Sequence, residues 1–374
     1  MPDKMKAVVK TRPEQGAEMM ERNLPELKED QVLVRVRATS ICGTDVHIFK
    51  WDDWSQNRIG DKNLPQILGH EVAGEVVEAG RCVKGIKIGD YISAETHIPH
   101  PQDLQTLLNQ MHIGMRMKIL GVDMDGSFAE YFAVPEVVCW VNDKSIPPEF
   151  ASIQEPLGNA CYAVMGEDND IAGKSVLITG DGPISLFAIG VARAAGAARI
   201  IHFGKYDLNM EIARKMGADL QMYTNKTSAE ERSQFVLDNT DGYGVDIACE
   251  MVGSDDSIHD SFSLVRKGGR VSSFGISGKT KVEFDYNNFL VFKGCQVHGV
   301  NGRKMFDTWY RVRSLLAAGK LDPGPVITHM FMLDDFDTGF EKMIERPRNA
   351  AKVVLFPAKD EFDAARKRLE QKVG

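Results

Sequence analysis

Residues 177–185 read Leu-Ile-Thr-Gly-Asp-Gly-Pro-Ile-Ser and join a short apolar run to a longer one through a glycine-rich turn. The run that ends at Thr179 predicts a buried strand, and the run from Ile184 to Ala195 predicts a helix. A Gly-x-Gly turn in this context is typical of dinucleotide binding, because its N–H groups and the helix N-terminus can bind a pyrophosphate. The candidate cofactor-binding residues of the turn are Gly180, Gly182, Pro183 and Ile184.

Strand and helix patterns alternate on the C-terminal side of this turn. Strands are predicted at 199–203, 219–223, 245–249, 270–274 and 295–300, and helices at 208–216, 229–237 and 258–265. Alternation of this kind is the pattern of a doubly wound parallel sheet. The predicted fold class is therefore α/β, with a Rossmann domain over residues 158–301.

The beginning and the end of the chain have a different pattern, in which apolar and polar residues alternate and glycines interrupt the alternation. The strand candidates there are 32–37, 71–79, 127–134 and a closing strand at 352–356. Alternation of apolar and charged residues is expected of half-buried strands. Residues 1–157 and 302–374 are predicted to form one β-rich domain, and the charge pattern of 358–373 predicts a peripheral helix.

The composition excludes several classes of protein. The 374 residues, 43% apolar and 26% charged, are ordinary for a soluble enzyme. A net charge of −8 without a basic stripe argues against nucleic acid as a partner. No apolar run approaches the roughly 20 residues of a membrane span, and the N-terminus lacks the apolar core of a secretory signal. The six cysteines include no Cys-x-x-Cys pair, which predicts a reduced, cytoplasmic protein.

Candidate metal ligands lie in two glycine-containing segments. Cys42 falls in Ile-Cys-Gly-Thr-Asp-Val-His, and His70 and Glu71 fall in Gly-His-Glu-Val-Ala-Gly. A thiolate, an imidazole and a carboxylate make an open zinc site, since three protein ligands leave a position for substrate. Strand alternation would point Glu71 away from His70 unless the backbone bends, so Glu71 is predicted to be a supporting or exchangeable ligand.

Glu155 is a further candidate metal ligand. It precedes Pro156, which fixes an extended approach to a predicted helix. A carboxylate in this position is commonly an exposed residue of a helix N-terminus. Beside a zinc site at a domain junction, a ligand role is favoured.

Thr44 and His47 follow Cys42 closely and are the candidate catalytic residues. Their ordinary roles would be a helix cap and a surface histidine. A hydroxyl beside a metal-bound substrate can instead pass its proton to an imidazole and out to water. A metal and a dinucleotide together imply hydride transfer from an alcohol carbon.

The end of the strand at 199–203 bears on the choice of cofactor. NAD recognition usually places an acid about 20 residues after the glycine turn, where it holds the ribose 2′-OH. Here Gly204 and Lys205 follow, a small residue and a cation that leave room and charge for a 2′-phosphate. NADP is therefore favoured over NAD, with Asp207 as the alternative group that could turn inward and hold the ribose.

These residues together resemble the zinc-containing medium-chain dehydrogenase/reductase family, from about Met5 to Phe356. Gly69-His70-Glu71-x-x-Gly74-x5-Gly80-x-x-Val83 fits the zinc motif of that family. The resemblance implies a GroES-like catalytic domain beside the Rossmann domain, in a homo-oligomer of two or four subunits. It also implies that zinc is held by Cys42, His70 and Glu155, with Glu71 or water completing the shell.

Segments 41–56, 155–160 and 302–331 resemble one branch of the family more closely than they resemble polyol dehydrogenases. By this resemblance, His97 matches a histidine near the substrate pocket, and Arg303 would approach the cofactor. That branch typically uses NAD, from which Gly204 and Lys205 depart.

The lobe at 99–120 departs from the family, whose members commonly carry four closely spaced cysteines there for a structural zinc. This segment has no cysteine, so one zinc is expected rather than two. Its apolar residues instead predict an amphipathic helix. The residues of the apolar face are Leu104, Leu107, Leu108 and Met111.

The predicted activity is zinc-dependent hydride transfer between a secondary alcohol and NAD(P). The expected partner is a small-molecule alcohol, with neither nucleic acid nor membrane. One alternative is an NADP-dependent polyol or sugar-alcohol dehydrogenase with the same chemistry. The alternative of another class is a non-catalytic, NADP-binding sensor or scaffold.

Overall fold

A computed structural model of the chain describes residues 2–60, 63–279 and 281–373. The chain divides into two compact units. The first comprises Met1–Glu155, Met305–Arg313 and Ile327–Gly374, and the second comprises Pro156–Lys304 and Ser314–Val326.

The N-terminal part of the chain is rich in short strands. Its strands are β1 (Lys4–Lys10), β2 (Glu18–Asn23), β3 (Gln31–Ile41), β4 (Gln66–Ile67), β5 (Glu71–Ala79), β6 (Tyr91–Ala94), β7 (His97–Ile98), β8 (Lys118–Ile119), β9 (Tyr131–Pro135) and β10 (Cys139–Val141). Its helices are α1 (Gly43–Lys50), α2 (Asp53–Arg58), α3 (Leu104–Leu107) and α4 (Pro148–Ala151).

The middle of the chain alternates helices and strands. In order, these are α5 (Gln154–Met165), β11 (Ser175–Thr179), α6 (Pro183–Ala194), β12 (Arg199–Gly204), α7 (Asp207–Met216), β13 (Leu220–Tyr223), α8 (Ala229–Asp238), β14 (Val245–Glu250), α9 (Asp255–Leu264), β15 (Val265–Ser273) and β16 (Gln296–Gly299). The last elements are α10 (Asp307–Ala317), β17 (Ile327–Met332), α11 (Phe336–Ile344), β18 (Lys352–Phe356) and α12 (Lys359–Val373).

The main sheet of the first unit is built around β3. Its strand order is β10-β6-β5-β3-β18-β17, and β9 also pairs with β3. Successive side chains of a strand face opposite sides of the sheet. Val32, Val34 and Val36 accordingly pack with Val72 of β5 in one buried cluster. The closing strand β18 lies antiparallel to β3, so the end of the chain belongs to this sheet.

The sheet of the second unit has the order β13-β12-β11-β14-β15-β16. All of its neighbouring pairs are parallel. The order reverses on either side of β11, which is the switch point where such sheets bind ligands beyond the carboxyl ends of their strands. The glycine turn follows β11, so the predicted α/β class and Rossmann topology are confirmed.

The amphipathic helix predicted for 99–120 is wrong. The segment forms only the single α-helical turn α3 and a 3₁₀ turn at Met111–Ile113, and Leu104 and Leu107 are 63% and 73% exposed. Asn109 adopts a left-handed backbone with φ 59°, which stops the helix. The carboxylate of Asp103 then holds the returning chain by accepting from the backbone N–H of Arg116 at 2.8 Å.

The helix predicted near the C-terminus is present as α12, but it is not peripheral. Arg368 donates two hydrogen bonds of 2.8 Å to Glu149, whose side chain is fully buried. Arg37 of β3 forms an ion pair with Glu361. These contacts tie α12 to the first unit. In the described part of the chain, no helix is long and apolar enough to cross a membrane.

Candidate active site

Two neighbouring strands of the first unit bring predicted metal ligands together. β3 ends at Ile41, directly before Cys42, and β5 begins at Glu71, directly after His70. Ser40 and Glu71 are partners in the antiparallel register of these strands. The ligand atoms of Cys42, His70 and Glu71 consequently lie within 4.8 Å of one another.

Gly69 explains why His70 and Glu71 contribute to the same cluster. Its φ is +91°, and a Cβ there would stand 2.1 Å from the ring of Phe128. Only glycine fits this turn without strain. His70 thus lies in the turn and not in the strand, so strand alternation does not govern the pair. The backbone bends at Gly69, which is the condition under which Glu71 and His70 can face the same side.

Asp45, which sequence reasoning missed, supports two of the ligands. Its buried carboxylate accepts from the backbone N–H of Cys42 at 2.8 Å and lies 3.4 Å from Nδ1 of His70. A carboxylate behind an imidazole orients the ring and leaves Nε2 for a metal. Burial disfavours the charged imidazole, but the negative charges of Asp45 and Cys42 outweigh it and raise the pKa of His70. The cluster therefore favours a cation.

The signal for Asp45 was present in the sequence. An acid three residues after a helix N-cap commonly bonds back to the N-cap backbone. Asp45 has this spacing from Cys42, which is the N-cap of α1.

Lys352 of β18 is a second residue that sequence reasoning missed. Its Nζ lies 2.7 Å from Oε1 of Glu71 and donates to the carbonyl of Ile41 at 3.1 Å. The two charged side chains are 2% and 0% exposed. Burial lowers the pKa of Lys352, but Glu71 and Cys42 oppose this and raise it overall. Ser40 donates to the other carboxylate oxygen of Glu71. The signal was a lysine opening an otherwise apolar strand.

Glu155 lies at the start of α5, next to a buried polar network. Gln154 donates to Oδ1 of Asn142 at 2.6 Å, which anchors the first turn of the helix in the first unit. Glu155 is 4% exposed. Burial raises the pKa of Glu71, and the nearby Glu155 adds to this effect. Burial lowers the pKa of Lys352, and Glu155 is one of the groups that oppose it. Among the described residues, the cluster within 4.8 Å consists of Cys42, His70 and Glu71, and Glu155 lies beside it.

Thr44 and His47 are one turn apart on α1. Oγ1 of Thr44 lies 4.0 Å from Sγ of Cys42. The side chain of His47 is 56% exposed, and its Nδ1 pairs with the carboxylate of Asp52. Burial would raise the pKa of Asp52, but its hydrogen bonds with His47 and Ser55 lower it overall. Asp52 is a further residue that sequence reasoning missed.

His97 lies in β7 and is 8% exposed. Its Nδ1 is 3.4 Å from Oε1 of Glu95, a fully buried carboxylate. The other oxygen of Glu95 accepts from Nε1 of Trp309 at 2.7 Å. The orientation of His97 is therefore supported by a buried acid that is itself held in place.

The turn after β11 has the geometry of a phosphate cradle. Gly180 has φ +100°, and a Cβ there would stand 2.7 Å from Val252. No side chain caps α6 at Gly182, and Pro183 occupies its first turn. A Cβ on Gly182 would meet nothing closer than Oγ of Ser185 at 3.9 Å. An open helix N-terminus approached by bare backbone fits a pyrophosphate.

Arg303 is fully buried in the second unit. Its Nη1 donates to Oδ1 of Asn159 at 2.8 Å. A Cβ on Gly158 would stand 2.8 Å from Cδ of Arg303, so the arginine packs directly on the backbone of α5. Of the other two cofactor residues predicted near the end of β12, Gly204 is buried and Lys205 is exposed.

Both parts of the chain match known families. The profile described as alcohol dehydrogenase GroES-like domain matches residues 28–143, and the profile described as zinc-binding dehydrogenase matches 183–318. L-threonine 3-dehydrogenase of Thermococcus kodakarensis is 45% identical over 360 residues, covering 96% of this chain and 100% of that relative. The Bacillus velezensis protein of the same name is 44% identical over 358 residues, covering 96% and 100%. A crystal structure of a zinc-binding dehydrogenase from Sinorhizobium meliloti 1021, bound to NADP, has a TM-score of 0.83 at 26% identity, covering 95% of this chain and 100% of that one.

The chain belongs to the zinc-containing medium-chain dehydrogenase/reductase family, and it is a zinc-dependent oxidoreductase of the alcohol dehydrogenase type. Within that family it is similar, over nearly its whole length, to enzymes named L-threonine 3-dehydrogenase. This is the branch that segments 41–56, 155–160 and 302–331 resemble. The predicted family, fold and hydride-transfer chemistry are confirmed.

Proposed function

We propose that the chain oxidises the C3 hydroxyl of L-threonine, giving 2-amino-3-oxobutyrate and transferring the hydride to C4 of a nicotinamide cofactor. The observation that carries the proposal is the identity of 45% to a protein of that name across 96% of this chain. The cluster of Cys42, His70 and Glu71 supplies the chemistry that such a reaction needs.

The residues proposed to hold a single zinc are Cys42, His70 and Glu155. Thiolate, imidazole and carboxylate are suitable zinc donors. Glu71 is proposed as an exchangeable fourth ligand, because the ammonium of Lys352 competes with a metal for its carboxylate. Zinc, when bound, supplies a Lewis acid that stabilises the deprotonated form of the alcohol.

Thr44 and His47 are proposed to carry the alcohol proton away. Oγ1 of Thr44 accepts the proton and passes its own to the imidazole of His47. The side chain of His47 is 56% exposed, so it can release the proton to water. Asp52 engages Nδ1 of His47, which directs Nε2 toward the relay.

The glycine turn is proposed to bind the pyrophosphate of NAD(P) through Gly180, Gly182, Pro183 and Ile184. The dinucleotide supplies the hydride acceptor. His97 as a substrate-pocket residue and Arg303 as a cofactor contact stay predictions, as does the preference for NADP drawn from Gly204 and Lys205. The assignments of His97 and Arg303 are supported by the family resemblance, and that of His97 also by its burial beside Glu95.

The cytoplasmic location and the homo-oligomer are also proposals. All six cysteines are free of disulfides, which supports a reducing compartment. The dimer or tetramer rests on the family resemblance alone.

The substrate is tested by initial rates of nicotinamide reduction on zinc-loaded protein. L-threonine is compared with L-serine, sorbitol and butane-2,3-diol, each with NAD and with NADP. We expect L-threonine to give the highest kcat/KM. A higher value with a polyol would transfer the assignment to a polyol dehydrogenase. Stoichiometric zinc and tight dinucleotide binding without turnover would favour a sensor or scaffold.

A further inference from the structure

The sequence has no acid at the end of β12, but the carboxylate of Asp181 lies next to that position. Asp181 is the middle residue of the glycine turn, and Gly204 ends the neighbouring parallel strand β12. A Cβ on Gly204 would stand 2.4 Å from Oδ1 of Asp181. The end of this second strand is the position from which the fold usually directs an acid to the ribose 2′-OH.

The surrounding backbone and side chains hold Asp181 in place. Oδ2 accepts from the backbone N–H of Lys205 at 2.6 Å, and Nδ2 of Asn209 donates to the backbone carbonyl of Asp181 at 2.8 Å. The side chain of Asp181 is 6% exposed, and Asn209 is fully buried. The carboxylate is therefore fixed against the first turn of α7 and is not a mobile surface group.

The imidazole of His202 lies beside the carboxylate of Asp181. Nε2 of His202 lies 3.9 Å from Oδ1, but burial lowers the pKa of His202 to about 4, so this imidazole is neutral near neutral pH. Lys205 has an exposed side chain. Asp207 is 85% exposed and lies 3.8 Å from the ammonium of Lys226. Asp207 is thus engaged at the surface.

We infer that Asp181 replaces the missing acid at the end of β12, accepts a hydrogen bond from the adenosine ribose 2′-OH, and makes the chain select NAD over NADP. The inference rests on the proposed dinucleotide-dependent function and deepens it. A 2′-phosphate would bring further negative charge against a fixed carboxylate and offer no proton to it.

On this inference, the carboxylate of Asp181 opposes the preference for NADP that was predicted from Gly204 and Lys205. Any side chain at 204 would collide with the carboxylate of Asp181, as well as with Met210 at 2.7 Å. The glycine on the strand therefore makes room for the acid in the turn. The absence of an acid at position 204 and the presence of one at position 181 are therefore linked, because the carboxylate of Asp181 occupies the space that a side chain at 204 would need.

Equilibrium titration of the zinc-loaded full-length chain with NADH and NADPH, followed by nicotinamide fluorescence, tests the inference without turnover. We expect the wild type to bind NADH tighter by about tenfold or more, the size of one charge-assisted hydrogen bond. Asp181→Ala should abolish that preference. Asp181→Asn is nearly isosteric and can still accept from Lys205, so it should mainly strengthen NADPH binding. The control Asp207→Asn should leave the ratio of the two affinities unchanged.

A wild type that prefers NADPH, or an Asp181→Asn ratio equal to that of the wild type, would overturn the inference. A ratio that changes in Asp207→Asn alone would assign the ribose to Asp207 instead. The same measurements distinguish failure of the proposed substrate from failure of the proposed role of Asp181. NADH preference without oxidation of L-threonine refutes the substrate, and NADPH preference with oxidation of L-threonine refutes the role of Asp181.

Discussion

The ammonium of Lys352 and the carboxylate of Glu71 form a buried ion pair, 2.7 Å from Nζ to Oε1, between two strands separated by β3. Glu71 is also one of the clustered metal-ligand candidates. A substitution in this pair should therefore affect both the stability of the first unit and the carboxylate that is available to a metal. Removing one member leaves the other charge buried without its counter-ion.

Lys352→Met should lower the free energy of unfolding by about 3–5 kcal/mol, the usual cost of stranding a buried charge. Urea unfolding of the zinc-free protein measures this loss. The double variant Lys352→Met/Glu71→Gln should recover much of it, because neither charge remains. A double variant no more stable than Lys352→Met would contradict a charge-based role for the pair.

Cys42→Ser should abolish zinc binding and dehydrogenase activity together, because a hydroxyl is a poor substitute for a thiolate ligand. Metal analysis of dialysed protein and initial rates are measured on the same samples. Cys82→Ser is the matched control, since Cys82 is exposed and lies outside the cluster. Full activity in a zinc-free Cys42→Ser protein would refute the metal assignment.

His47→Gln should lower kcat by about 10²-fold, the usual scale of general acid–base assistance, with zinc content unchanged. Because the side chain of His47 is 56% exposed, imidazole added to the buffer should restore part of the rate. Cys42→Ser should not respond to imidazole. If His47→Gln keeps the wild-type kcat, the proton leaves by another route.

His202 should make the free energy of unfolding depend on pH. Burial lowers its pKa to about 4 in the folded chain, whereas an unfolded histidine titrates near about 6.5. The unfolded state thus binds a proton first as the pH falls. The stability from the neutral imidazole is complete above about 6.5 and is lost as the pH falls toward about 4.

Urea unfolding at about pH 7.5 and about pH 5.5 measures this loss, which should be about 1 kcal/mol larger in the wild type than in His202→Gln. Other histidines contribute equally to both proteins and cancel in the comparison. The control His100→Gln should match the wild type. Equal losses in the wild type and His202→Gln would show that His202 does not titrate as described.

Local patterns predicted much of this molecule. The run before Gly180 and the apolar helix after Gly182 are contiguous, so their signals depend on neighbouring residues alone. Cys42 and His70 were recognisable because glycine-flanked motifs carry them. The predicted β11 and β18 accordingly agree with the observed strands to within a residue.

The features that were missed depend on distant contacts. Lys352 meets Glu71 across 281 residues of sequence, and no local pattern connects them. The apolar spacing of 99–120 favours a helix, but Asn109 and the contact between Asp103 and Arg116 override it. The Gly-Asp-Gly pattern alone does not predict the approach of Asp181 to Gly204, because this approach appears only when β11 and β12 lie side by side.

The pairing of β18 with β3 also sets an order for synthesis of the chain. Cys42, His70 and Glu71 emerge early, but Lys352 and the strand that carries it are made only after the second unit. During synthesis, Thr39, Ser40 and Ile41 of β3 therefore lack their partners in β18, and Glu71 lacks the ammonium of Lys352, until the last strand has been made.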